Sequence, residues 1–116
     1  MNKAFHFTKK DEINSVSATP LQKVKNQILT VTGAAITTRI DEETGEEREV
    51  GLISAEEGTF SSISGTAIKG LDLIIDYMND LAADQETEAV TVQVKVNVGK
   101  SNAGREFITL ELIWWI

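Results

Sequence analysis

QILTVTGAAITTRI, residues 27–40, is the stretch on which the fold turns. Its β-branched residues suit an extended, half-buried strand. Gly33 stands in the middle, where a glycine inside a strand marks a bulge or sharp bend. One long strand coiled at Gly33 is therefore expected rather than two short ones. A strand bent in this way can pair in one half of a curled sheet before the bend and in the other half after it.

Downstream, Asp-Glu-Glu-Thr-Gly-Glu-Glu (41–47) has the composition of a solvated turn, with Gly45 free to take a positive φ. A second strand is expected over 48–54, a turn at Ala-Glu-Glu-Gly (55–58) and a short third strand over 59–62. Ser64 or Thr66 then offers a cap for a helix in which Ile68, Leu71, Ile74, Ile75, Met78 and Leu81 recur at three- and four-residue spacing, all on one face. Gly70 costs that helix about 1 kcal/mol relative to Ala, which suggests a close approach to the sheet. After a polar connection at 84–88 the period changes to two. Val90, Val92, Val94, Val96 and Val98 face one way, and Thr91, Gln93, Lys95 and Asn97 the other. Gly-Lys-Ser-Asn-Ala-Gly (99–104) turns the chain into a fifth strand, with Ile108, Leu110, Leu112 and Trp114 inward and Ile113 and Trp115 outward.

Residues 1–26 contain the sole proline, Pro20, and read as a partly ordered arm, with Phe5 and Phe7 at strand spacing. The element order from residue 27 is β-β-β-α-β-β. The expectation is a mainly β protein with one α-helix: a five-stranded OB-fold barrel over 27–116, its helix set between strands three and four. Such barrels commonly bind single-stranded nucleic acid or oligosaccharide along one face.

A chain of 116 residues fits one domain with a core of its own. It has no Cys and a single His, His6, which removes disulfides, thiolate nucleophiles and most metal and acid–base chemistry. Apolar runs are too short to span a bilayer and the first residues lack a signal-peptide pattern, so no membrane association and a cytoplasmic location are expected. A formal charge of −7 argues against general polyanion binding, so the placement of the cations matters more than the total.

Asp72, Asp76, Asp80 and Asp84 recur every four residues and would form one line of carboxylates on the helix. A hard cation suits such a line; a solvated polar face is the plainer reading, and no metal or other cofactor is expected. Gly99-Lys100-Ser101 is not a phosphate-binding loop, because Val94 stands where its first glycine belongs. No serine lies in a nucleophile elbow, and His6 alone supports no triad, so an enzyme is not expected.

Cations and rings on exposed strand positions make a stronger constellation. If the valines of strand four point inward, Lys95 points outward; Arg105 and Phe107 share that parity on strand five, with Lys100 in the turn between. Thr37 and Arg39 lie outside after the bend of strand one, and Phe60 precedes the helix between Thr59 and Ser61. Cations track phosphates and a ring stacks on any base, so Phe60, Phe107, Arg39, Lys95, Lys100 and Arg105 are the candidate contacts. Read singly, each cation is also ordinary surface, and each Phe is also a core candidate.

The segments Glu-Gly-Thr-Phe-Ser-Ser-Ile-Ser (57–64) and Val-Lys-Val-Asn-Val-Gly-Lys-Ser-Asn-Ala-Gly-Arg-Glu-Phe-Ile-Thr-Leu-Glu-Leu (94–112) resemble the single-stranded DNA-binding proteins of phi-29-like phages. The resemblance spans 27–112. It implies a non-enzymatic replication protein that coats and protects displaced single strands without sequence preference, and that meets the polymerase or other replication proteins, with oligomers allowed. It also implies base stacking on a ring that matches Phe60. The family carries further aromatics around the first hairpin, where this chain has Arg39, acidic residues and no ring. A protein-interaction or structural module of the same shape, without nucleic acid, is the alternative.

Overall fold

The computed structural model describes residues 2–87 and 90–113. The expectations for Trp114 and Trp115 lie outside that range. In chain order the elements are β1 (Lys3–Phe5), α1 (Lys9–Asn14), β2 (Thr19–Pro20), β3 (Ile28–Ile40), β4 (Glu47–Ala55), β5 (Gly58–Ser62), α2 (Gly65–Asp84), β6 (Val92–Lys100) and β7 (Glu106–Ile113). Short 3-10 turns at Ser15–Ser17 and Leu21–Val24 flank β2. The strands form one curled sheet in the order β2-β5-β4-β3-β6-β7, with β1 attached to β3.

β3 organises this sheet. Its first residues, Ile28 to Val31, pair antiparallel with Lys95 to Val92 of β6, and from Ala34 to Ile36 the same edge passes to Phe5 to Lys3 of β1. The opposite edge pairs with β4, and the register slips between Val31 and Gly33, placing a bulge at the expected bend. A bulge bends its strand and strengthens the local twist. Gly33 has a second cause: a Cβ there would collide with the His6 carbonyl oxygen, because the arm crosses the strand at this point.

The expected five-stranded, one-helix barrel needs correcting in two respects. Among the described residues there are seven strands and two helices, and the long helix follows the fifth strand rather than the third, because residues 2–26 contribute β1, α1 and β2. Nor, among the described residues, is the barrel closed by strand pairing: β2 and β7 are the outer strands of the sheet, and β5 turns into α2 after Ser62. The first turns of α2 lie along that seam, where Thr66 Oγ1 donates to the Ile108 carbonyl at 2.6 Å. Ser64 is the N-cap by backbone position but makes no side-chain capping bond. Gly70 lies beside Leu110, where a Cβ would meet ordinary van der Waals contact at 3.6 Å, so the glycine is not a steric necessity.

The inner face packs Leu29, Val31, Ala34, Ile36, Ile53 and Ile108 against Ile68, Leu71, Ile74, Ile75 and Met78 of α2, together with Val90, Val92, Val94 and Val96. The helical and strand periods read from the sequence thus meet in one core. Ile113 is also buried, contrary to its outward parity, in a groove shared with Leu112, Tyr77 and Leu81. The arm joins this core through Phe5, Leu21 and Val24. His6 takes φ 45°, which breaks the strand period, so Phe7 reaches the other side of the sheet and packs on Ala35, Val50 and Leu52. There α1, capped by a reciprocal Thr8–Asp11 box, ties down through Ser54 Oγ, which donates to Asp11 Oδ1 at 3.0 Å. The outer face of β3 and β4 is covered by the arm. No helix is long and apolar enough to cross a membrane among the described residues.

Candidate nucleic-acid interface

The outward parity of β6 is as expected: Val92, Val94 and Val96 are buried, while Gln93, Lys95 and Asn97 stand on the other face. Residues directly opposite one another in an antiparallel pair share a face. Lys95 is therefore flanked by Ile28 of β3 and Glu111 of β7, Asn97 by Thr109, and Gly99 by Phe107. The outer surface of the β6–β7 hairpin is thus a patch of Lys95, Asn97, Thr109 and Phe107, with Lys100 and Arg105 exposed at its tip.

The Phe107 ring is half-buried because it folds onto Gly99, whose missing side chain makes the seat; a Cβ there would come within 2.5 Å of the ring. One ring face is thus supported by the protein, which fixes its orientation. Acidic neighbours temper the cations. Glu111, the cross-strand partner of Lys95, accepts a hydrogen bond from Asn97 Nδ2 at its Oε1 at 2.8 Å. Lys100 stands opposite Glu106, whose carboxyl is bound at 2.7 Å by Lys25 of the arm. That hydrogen bond, with a smaller contribution from the Lys100 charge, holds Glu106 below the usual carboxylate range. With Glu106 already engaged by Lys25, Lys100 remains the cation of that pair with least acidic demand on it. The backbone amide of Arg105 donates to Ser101 Oγ at 3.3 Å, closing the turn and leaving the guanidinium at the tip.

Two expected contacts fall elsewhere. Phe60 is 4% exposed and belongs to the core, because β5 turns this side of its short alternation toward α2. It is corrected from a stacking ring to a packing residue. Arg39 is exposed and outward after the bend, as its parity required, but it lies eleven positions along β3 from Ile28, the partner of Lys95. At about 3.3 Å per residue that is roughly 30 Å or more along the strand, so Arg39 does not share a compact site with the hairpin. Its guanidinium donates to Ser15 Oγ at 3.3 Å, and its cross-strand partner is Arg48. The structure therefore brings together Lys95, Lys100, Arg105 and Phe107, and leaves Arg39 and Phe60 apart.

Sequence reasoning missed Arg48 and Lys25. The hairpin closed by the 41–46 turn fixes the Arg39–Arg48 pairing, so parity arithmetic across that turn would have found Arg48. Nothing local marks Lys25, whose partner is 81 residues away. The aspartate row is divided: Lys3 bridges Asp72 at 2.8 Å and Asp76 at 2.7 Å, so half of the line serves to dock β1 on α2. An open cleft of about 800 Å³ lies away from the last hairpin, between β4 and the start of α2. Comparison with protein-family models, with curated proteins and with solved structures gives no match to this chain.

Proposed function

We propose that this chain is a non-enzymatic OB-like protein that binds single-stranded DNA without sequence preference, in the cytoplasm and in support of replication, phage replication being the setting implied by the resemblance described above. The observation that carries this reading is the β6–β7 hairpin, where the oriented Phe107 ring and Lys95 stand on the outer face and Lys100 and Arg105 are exposed at the tip. A ring of that kind contributes about 1–3 kcal/mol per stacked base, and each phosphate-bound cation adds salt-dependent affinity. The connectivity from residue 27 supports the OB reading. β3 pairs with β4 on one edge and with β6 on the other.

Fluorescence anisotropy of a labelled oligothymidylate, at low and high salt, tests the proposal. Binding that weakens steadily as salt rises is the expected result; no binding at low salt sinks it. The protein-interaction reading is favoured by a different observation: the arm covers the outer face of β3 and β4, and the hairpin beside it is strongly acidic. That reading predicts no oligothymidylate binding at any salt.

A further inference from the structure

The β3–β4 hairpin projects beyond the strands that flank it and leaves a length of sheet edge without a neighbour. β5 pairs with β4 only from Gly51 to Ala55, because the chain leaves the sheet after Ser62. Residues Glu47 to Val50 pair with Ile40 to Thr37 of β3 on one side. On the other side no strand lies against them among the described residues. An open cleft of about 800 Å³ occupies that place, lined by three consecutive β4 residues, Glu47, Arg48 and Glu49, and facing them by Ile63, Ile68 and Asp72. Consecutive residues mark contact along the edge of β4, and Ile36 of β3 in the lining shows that the cleft also reaches the inner face of the sheet. Unpaired edges present N–H and C=O groups that template another strand.

The walls state what kind of strand fits. Glu47 and Glu49 share the parity of Gly51, whose Cβ position faces Leu71 and Ile68, so both carboxylates stand on the α2 side of the sheet with Asp72. Ile63, 65% exposed, and Ile68 supply an apolar floor between them. Arg48 has the opposite parity and points to the other face, where it lies 3.8 Å from Asp41. Two cations lie on the α2 side: Lys69, and Lys3, which bridges Asp72 at 2.8 Å. A segment entering here meets more negative than positive charge on that side, around an apolar centre.

We propose that this edge accepts an extended segment of a partner protein as an additional strand of the sheet, continuing the line of β5. Its α2-facing side chains are basic on either side of an apolar anchor: the cations meet Glu47 and Glu49, and the anchor meets Ile63 and Ile68. Main-chain bonds supply affinity and the alternating side chains supply selectivity, as in other strand-addition complexes. The site is separate from the β6–β7 hairpin, so it stands or falls independently of nucleic-acid binding.

The test uses a labelled seven-residue peptide with Thr at odd positions and Lys, Val, Lys at the even ones. Two further versions are each N-methylated on one of the two alternating sets of amides. The unmodified peptide is expected to bind with a dissociation constant below about 1 mM. One methylated version is expected to weaken at least about tenfold and the other to bind as before, because only one set of amides points at β4. A Glu47→Lys/Glu49→Lys variant, altered at two exposed positions, is expected to bind the unmodified peptide at least about tenfold more weakly. Equal binding of both methylated versions means charge attraction without strand addition and overturns the proposal. So does undiminished binding to the double variant, or no binding of the unmodified peptide.

Discussion

Gly33 and Gly70 both interrupt elements that a side chain would strengthen, and they differ in what a methyl group would meet. At Gly33 it meets the His6 carbonyl of the crossing arm; at Gly70 it meets Leu110 at ordinary van der Waals distance. Gly33→Ala is expected to destabilise by about 1–3 kcal/mol or more, since neither backbone yields cheaply. Gly70→Ala is expected to stabilise by up to about 1 kcal/mol through helix propensity. Urea unfolding of the two variants checks both signs. The phenylalanines separate in the same manner. Phe60→Ala opens the core and is expected to cost about 3–5 kcal/mol, leaving the affinity of the folded protein for oligothymidylate unchanged. Phe107→Ala removes a half-buried ring and is expected to weaken oligothymidylate binding by about 1–3 kcal/mol, with a smaller stability loss. Equal affinity with and without the Phe107 ring would make it a cover for Gly99 and nothing more. Parity alone did not distinguish these rings, because Thr59 and Ser61 show that Phe60 faces one side without saying which.

At the scale of elements, the legible parts are those long enough to display a period, together with the five-residue β5, set between a turn signal and a helix cap. β3, β4, β6, β7 and α2 each repeat their pattern over eight residues or more, and the sequence places them within a few residues of where they lie. The three-residue β1, the two-residue β2 and the six-residue α1 show no such period. Their stability comes from distant partners: β1 from β3 and from the Lys3 bridge to α2, β2 from Phe60 and Ser61, and α1 from Ser54. A local reading can register Thr8 and Asp11 as a capping box, but it cannot supply Ser54. The Lys25–Glu106 tie between arm and last hairpin has a pH signature. The folded-state carboxyl titrates below its ordinary value of 4.5, so the stabilisation is present above that value and is lost as pH falls through the folded pKa. In a Lys25→Ala variant the Glu106 titration, followed by NMR, is expected to move up toward 4.5. An unmoved titration would mean that Lys25 does not hold the carboxylate in solution.

For the whole molecule, charge is distributed by region. The formal −7 is concentrated in the 41–49 hairpin and along α2, whereas Lys95, Lys100 and Arg105 gather on the last hairpin. Reversing Lys100 and Arg105 to Glu is expected to reduce the slope of log affinity against log salt by about 0.7 for each phosphate that is no longer neutralised. It is expected to leave the melting temperature close to that of the parent, since both side chains are exposed. An unchanged slope would remove these cations from the interface. The arm carries a consequence for the order in which the chain is completed. Lys3 waits for Asp72, Phe5 and the His6 crossing wait for β3, and Lys25 waits for Glu106. During synthesis from the N-terminus, the residues made first therefore wait for partners that are made later. A ribosome-bound chain halted before residue 106 would lack Glu106, the last made of these partners, and protection of the segment around Lys25 would report that the far end has arrived.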